Sequence, residues 1–299
     1  MNKINRFRIS KIKKGFSLFE LTIVIAIIAF LGLGIMQGGE LIRQSKISAA
    51  QTLTKSSVVS KMDNLVLWLE TTMPNSFDNI ERFDGGTVSN WYNLGVNQPS
   101  TYNATQSNNN KRPTYATNAI NGLPALKFIS TSTQYMSVVD GFDNEAETVT
   151  VFLVWQPNFI ANSVEMDPLE KWAGSGGYPY VLRSSTTFYA FISYDGSTGY
   201  GPASTTFRSF GTPHLISARK IRKGAMQLWV NGTSEGGTAT DGGTSEANNV
   251  NMFIGCRGNI TLCVNGYIGE IIIFDRALTD QERQDVETYL GKKWAISTP

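Results

Sequence analysis

Glu145 and Glu147, two residues apart, come nearest in this chain to the paired carboxylates of glycoside hydrolysis. That reaction needs an acid and a second carboxylate about 5 to 9 Å apart. Both sit in the acidic turn Asp140-Gly141-Phe142-Asp143-Asn144-Glu145-Ala146-Glu147, ahead of a strand-forming run rather than within it, so they read as a solvated turn and no enzyme activity is expected. The same turn offers Asp140 and Asp143 as calcium candidates, without the ligand spacing of an EF-hand. No cofactor is otherwise expected. The single histidine, His214, opens an apolar run, and no Gly-x-Ser-x-Gly elbow occurs, so it reads as structural. Trp172, Tyr178, Tyr180, Tyr194 and Tyr200 alternate with Gly- and Ser-rich stretches. On loops such rings would stack on sugars; at strand ends the same string would be core.

The chain has 2 cysteines, Cys256 and Cys263. If the run at 251–256 pairs with the strand after Cys263, the two face each other across a hairpin, and outside the cytoplasm a disulfide is the favoured state. Closing so short a loop stabilises by about 2.5 kcal/mol on chain-entropy grounds. A reduced, buried pair is the alternative. Two cysteines and one histidine are too few for a structural zinc site.

These groups must be positioned by two kinds of element. Residues 16–36 form an apolar run in which only Ser17, Glu20 and Thr22 are polar; as a helix it is about 31 Å long, enough for one bilayer crossing. Ahead of it Lys3, Arg6, Arg8, Lys11, Lys13 and Lys14 keep residues 1–15 cytoplasmic and send the rest outward. A carboxylate one turn inside such a helix, Glu20, costs roughly 2.5 to 3.5 kcal/mol at the bilayer centre, so it requires a partner. A looser amphipathic pattern extends the helix to about residue 60, with Gly38-Gly39 as its weak point, either a joint or a membrane-exit break.

The segment from the basic leader through Gly15, Phe16 and Glu20 resembles the N-terminal signal of type IV pilins and type II secretion pseudopilins. The resemblance implies cleavage between Gly15 and Phe16 by a prepilin peptidase, N-methylation of Phe16, and pairing of Glu20 with the terminal amine of a neighbouring subunit. Other pilin or pseudopilin subunits are then the partners, with inner-membrane lipid before assembly. A single-pass protein of the bacterial cytoplasmic (inner) membrane, head outside, later in a pilus, periplasmic pseudopilus or cell surface, is the implied location.

After Asp63 the period changes from 3.6 to 2. Runs at 65–69, 125–129, 148–156, 179–183, 187–194, 214–219, 225–230, 251–256 and 266–274 are rich in branched and aromatic residues and separated by Gly, Asn, Ser and Thr clusters. With no helices between them they predict an antiparallel sandwich. One late helix is marked by the capping box Thr279-Asp280-Gln281-Glu282 and by Val286, Tyr289 and Leu290. The ordered motifs Leu65-Val66-Leu67-Trp68-Leu69, Trp91-Tyr92-Asn93, Asn121-Gly122-Leu123-Pro124, Leu228-Trp229-Val230-Asn231-Gly232 and Ile271-Ile272-Ile273-Phe274-Asp275 resemble a laminin G-like, concanavalin A-like jelly roll. Such a sandwich implies glycan or protein binding at its concave face or loop rim.

The expected organisation is a cleaved leader at 1–15, a pilin-type helix at 16–61 and a sandwich at 62–299. The fold class is mainly β, a long membrane-spanning N-terminal helix followed by the sandwich and a short C-terminal helix. With 26 basic and 24 acidic side chains in all, removing the six leader cations leaves 20 against 24, a net of −4, which gives no support to nucleic-acid binding. Two functions compete. One is a pilin-like or pseudopilin-like subunit, minor or tip because so bulky a head is hard to repeat along a fibre. The other is a membrane-tethered adhesin whose sandwich binds carbohydrate or an extracellular protein.

Overall fold

The computed structural model describes residues 18–95, 98–140, 148–158, 165–172, 174, 176–185, 188–205, 209–242 and 249–299, with the backbone alone over 30–37. The chain divides into two units, Met1–Ser45 and Lys46–Pro299, and helix α1 (Leu18–Ser56) contributes residues to both.

Among the described residues no helix is long and apolar enough to cross a membrane, so neither the span at 16–36 nor the single-pass inner-membrane location, nor a membrane tether for the head, is retained. Within α1, Glu40 and Arg43 pair at 2.6 Å on the helix surface. Gly15 and Phe16 lie outside the described residues. Glu20 falls in the first turn of α1, where a carboxylate complements the amide end of the helix dipole. The helix stops at Ser56 rather than near 60, because Ser57 N turns back to Thr54 O (3.3 Å) and a 3-10 turn, Val59–Lys61, follows.

The strands of the second unit, among the described residues, are β1 (Leu65–Glu70), β2 (Asn90–Trp91), β3 (Ala104–Thr105), β4 (Thr114–Ile120), β5 (Leu123–Phe128), β6 (Met136–Val138), β7 (Thr148–Pro157), β8 (Glu165–Glu170), β9 (Tyr178–Ser185), β10 (Tyr189–Tyr194), β11 (Gly199–Tyr200), β12 (His214–Ile221), β13 (Ala225–Val230), β14 (Thr233–Thr240), β15 (Met252–Ile254) and β16 (Gly266–Phe274). They form two antiparallel sheets. The inner sheet runs β14-β13-β12-β7-β16-β5-β4, and β1 shares one edge of β16 with β5. The outer sheet runs β11-β10-β9-β8-β15-β6-β3-β2.

The unbroken apolar run of β16 has a simple cause. Ile271 and Ile273 enter the core between the sheets, while Ile272 and Phe274 enter a second core on the opposite face. A sheet covered on both faces needs continuous rather than alternating apolar residues. The cover comes from Ala50 near the end of α1 and from Val286, Tyr289, Leu290 and Trp294 of helix α2 (Asp280–Trp294). The capping box that starts α2 is present: Thr279 Oγ1 accepts from Glu282 N at 3.3 Å, and Glu282 Oε2 accepts from Thr279 N at 2.8 Å.

Cys256 and Cys263 are joined by a disulfide. The expected hairpin is not the reason. β15 pairs with β6 and β8 in the outer sheet, whereas β16 belongs to the inner one. The bond instead closes the crossover loop between sheets, where Val264 N also bonds Gly255 O (2.8 Å) and Arg257 N bonds Thr261 O (2.9 Å).

Candidate recognition face

The inner sheet is covered on both sides, so among the described residues the outward face of the outer sheet is where the sandwich can meet a ligand. Strand alternation identifies its residues. In β10, Tyr189 and Phe191 enter the core, so Ala190, Ile192 and Tyr194 face outward. In β15, Met252 and Ile254 enter the core and Phe253 faces outward.

Two β-bulges build the centre of this face. On β8 the register shifts between Met166 and Leu169, around Pro168, which lacks the N–H a regular ladder needs. Met166 and Leu169 both remain in the core, and Glu165, Asp167 and Glu170 are thereby gathered on the outward side. On β9 the pairing shifts between Ile192 and Tyr194 of its partner, so Tyr178 pairs with Tyr194 and leaves the face that Tyr180 keeps. The two rings stack with centroids 5.2 Å apart.

Asp167 is fully buried and held by two guanidinium groups. Arg183 donates from Nε to Oδ1 (2.8 Å) and from Nη2 to Oδ2 (3.1 Å), and Arg257 donates from Nε to Oδ2 (3.0 Å). Arg183 also pairs with Glu165 at 3.1 Å. Arg257 lies over the Trp172 ring, 5.1 Å from its centroid. It follows Cys256 directly, and Leu262 O of the same loop accepts from Asp167 N at 2.9 Å, so the disulfide loop is what delivers this arginine. Burial is the largest influence on Glu170 and pushes its carboxyl up to about 8; the Asp167 charge adds to this, and the amide of Trp172, which donates to it, opposes it. Burial likewise raises the Tyr178 hydroxyl, against the nearby arginines.

The arrangement offers aromatic faces and two guanidinium groups fixed on the buried Asp167, with Glu170 buried beside them and its carboxyl pushed up to about 8. An acid is half of what glycoside hydrolysis needs. The other carboxylates of this strand are engaged with arginine, which suits orientation of a polar ligand better than nucleophilic attack.

Of the five aromatic residues expected to bind ligand, Trp172, Tyr178 and Tyr194 meet at this face. Tyr180 does not: it is fully buried between the sheets, its hydroxyl 3.4 Å from Met252 Sδ. Tyr200 is packed against the same core, and its hydroxyl donates to Asp195 at 3.0 Å. Asp140 accepts from the buried ammonium of Lys171, which occupies the carboxylate expected for calcium. Asp143, Glu145 and Glu147 lie outside the described residues, and among the described residues no cluster of three or more metal-ligating side chains occurs. His214 is buried, edge-on to Tyr189 at 5.8 Å, a structural position. Sequence reasoning passed over Glu165, Asp167 and Glu170; three acids within six residues of a strand containing a proline were the available signal.

No family model matches the chain, and no curated protein matches it either. Solved structures do. The receptor-binding domain of botulinum neurotoxin C/D mosaic serotype is similar over 76% of this chain and 51% of its own, with 16% identity and a TM-score of 0.53. The binding domain of Paraclostridial Mosquitocidal Protein 1 is similar over 75% and 52%, with 12% identity and a TM-score of 0.52. Domain 4 of AbnA, an extracellular arabinanase from Geobacillus stearothermophilus solved in complex with arabinotriose, is similar over 75% of this chain and 98% of its own, with 14% identity and a TM-score of 0.51. This chain spans about half the length of the two toxin structures. The shared property is the fold, a two-sheet jelly-roll sandwich of the kind those binding domains are built on.

Proposed function

We propose that the chain is a pilin-like or pseudopilin-like subunit, minor or tip in position, whose sandwich displays a recognition face for a glycan, with an extracellular protein as the competing ligand. The observation that carries the recognition half is the outward cluster of Trp172, stacked Tyr178 and Tyr194, and the Arg183-Asp167-Arg257 lattice. Flat rings pair with the apolar faces of sugars, and fixed guanidinium groups pair with hydroxyls. The arabinanase domain, matched along nearly its whole length and solved with arabinotriose, supports testing glycans first. The assembly half rests on Gly15, Phe16 and Glu20, and is supported by the apolar side chains that α1 exposes, Leu18 at 81% and Phe19 at 73% among them.

Binding of the full chain to a glycan array, repeated with Trp172→Ala and Tyr178→Ala, tests recognition. Signals on defined glycans that fall at least tenfold in both variants are expected; unchanged binding would move the site elsewhere. Release of reducing ends that disappears in Glu170→Gln would replace recognition with hydrolysis. Assembly is tested by N-terminal sequencing of protein from its native host. A chain starting at N-methylated Phe16, and precursor accumulation for Gly15→Leu, are expected; normal processing of that variant would remove the pilin assignment.

A further inference from the structure

At the β2–β3–β6 end of the outer sheet a cavity of about 330 Å³ is lined by Ser89, Asn90, Thr105, Gln106, Ser107, Arg112, Tyr135 and Ser137. It opens on the same outward face as the aromatic cluster. Trp91, Ala104, Met136 and Val138 enter the core, so Asn90, Thr105 and Ser137, their neighbours along the strands, point the other way. These three form one row across the sheet, Asn90 opposite Thr105 and Thr105 opposite Ser137, which continues through Phe253 to Glu170.

The lining has a distinct chemistry. Seven of its eight residues are neutral hydroxyl, amide or phenol groups, and the eighth, Arg112, is the only charged one. Its guanidinium is anchored rather than mobile: Nε donates to Gln106 O (2.8 Å) and Nη2 to Ser107 O (3.4 Å). Gln106 is itself fixed, donating to Tyr135 O (3.0 Å) and accepting from Asn108 N (3.0 Å). Tyr135 and Phe253 make a tilted ring pair, 5.7 Å between centroids, beside the cavity on the way to Glu170. A preorganised guanidinium among hydroxyls and amides, beside the Tyr135 ring, suits recognition of a carboxylate on a sugar ring.

We propose that this cavity is a second subsite, for a uronic acid unit, and that the outer sheet reads a linear acidic oligosaccharide laid across its strands. This rests on the recognition reading above. From β3 to β9 there are four strand steps, about 19 Å at about 4.8 Å each, so one sugar cannot fill both subsites and a longer chain is required. Glu170 lies between them, and burial pushes its carboxyl up to about 8, which lessens its repulsion of an acidic chain.

The test is calorimetric titration of the full chain with tri- and hexagalacturonate and with a neutral galactose hexamer. The acidic hexamer is expected to bind at least tenfold tighter than either other probe, with the advantage shrinking in high salt. Arg112→Gln, and independently the cavity-filling Ser137→Trp, are expected to lower acidic-hexamer affinity at least tenfold and so erase the acidic preference. Equal affinity for acidic and neutral hexamers, or a wild-type preference in Arg112→Gln, would overturn the subsite. If Trp172→Ala abolishes hexamer binding and Arg112→Gln does not weaken it, the recognition face stands and this subsite falls; binding of none of the three probes overturns the uronic-acid subsite, and the glycan array then decides the recognition face separately.

Discussion

Lys293 Nζ lies 2.7 Å from Glu70 Oε2 with neither side chain exposed, joining the last turn of α2 to the end of β1 through the interior. Glu270 stands 2.8 Å from the same ammonium on its other side. The remaining valences are filled: Trp68 Nε1 and Tyr289 OH donate to Glu270 at 2.8 and 2.7 Å, Trp294 Nε1 donates at 2.8 Å, and Thr72 and Ser76 hydroxyls donate to Glu70 at 2.6 and 2.8 Å. Such a network holds only when every member is satisfied. The ammonium keeps Glu70 below the ordinary carboxylate range despite burial, and the two carboxylates keep Lys293 above its own.

Removing one member should therefore be expensive. Lys293→Met leaves two buried carboxylates without their counter-charge, and a loss of about 3–5 kcal/mol is expected. Urea denaturation checks it; a loss under about 1 kcal/mol would mean the carboxylates are reached by water.

Glu170 should leave a signature in the pH dependence of stability. Its carboxyl is raised from 4.5 to about 8 in the folded chain, so between those values the folded state holds a proton that the unfolded state has released. Its contribution is thus complete below about pH 4.5 and is lost as pH rises towards 8, by up to about 1.4 kcal/mol per unit. Glu170→Gln cannot ionise. Its stability relative to the parent chain should improve steadily between pH 5 and 8, measured by denaturant titration at each pH; parallel profiles would contradict the buried acid.

The disulfide should matter more to the site than to the fold. Serine at both Cys256 and Cys263 is expected to cost at most about 2–4 kcal/mol, because the two cores remain. Arg257, carried by the same loop, should lose its fixed place on Asp167 and Trp172. Indole fluorescence and glycan affinity should then change together; a destabilised variant with unchanged affinity would detach the loop from recognition.

Neighbouring tyrosines should behave oppositely. Tyr178→Ala removes a half-buried ring and should lower glycan affinity with little loss of stability, whereas Tyr180→Ala opens the core and should cost about 3–5 kcal/mol. Equal thermal shifts for the two would refute the bulge that separates them.

Much of the sandwich was legible in the residues themselves. All nine expected strand runs overlap observed strands, because branched and aromatic residues between polar punctuation report burial directly. The α2 capping box was equally local, since its groups lie within one turn. Strands with little apolar character were invisible: β14, Thr-Ser-Glu-Gly-Gly-Thr-Ala-Thr, is an edge strand held by its ladder with β13 rather than by its side chains. At the N-terminus, the apolar run at 16–36 reads as a membrane crossing, whereas among the described residues no helix is long and apolar enough to cross a membrane. Trp172, Tyr178 and Tyr194 of the proposed recognition face could be named from the sequence, but which residues share that face was decided by tertiary structure. Tyr178 and Tyr180 are two apart and should share a face under strict alternation; a bulge divides them, and another places Asp167 and Glu170 together. Bulges depend on the pairing partner, and Arg257 reaches Asp167 only because a disulfide closes the crossover between sheets. Side-chain type and spacing along one chain carry no record of that partner, so strand identity could be read from the sequence while the surface those strands present was decided by their register.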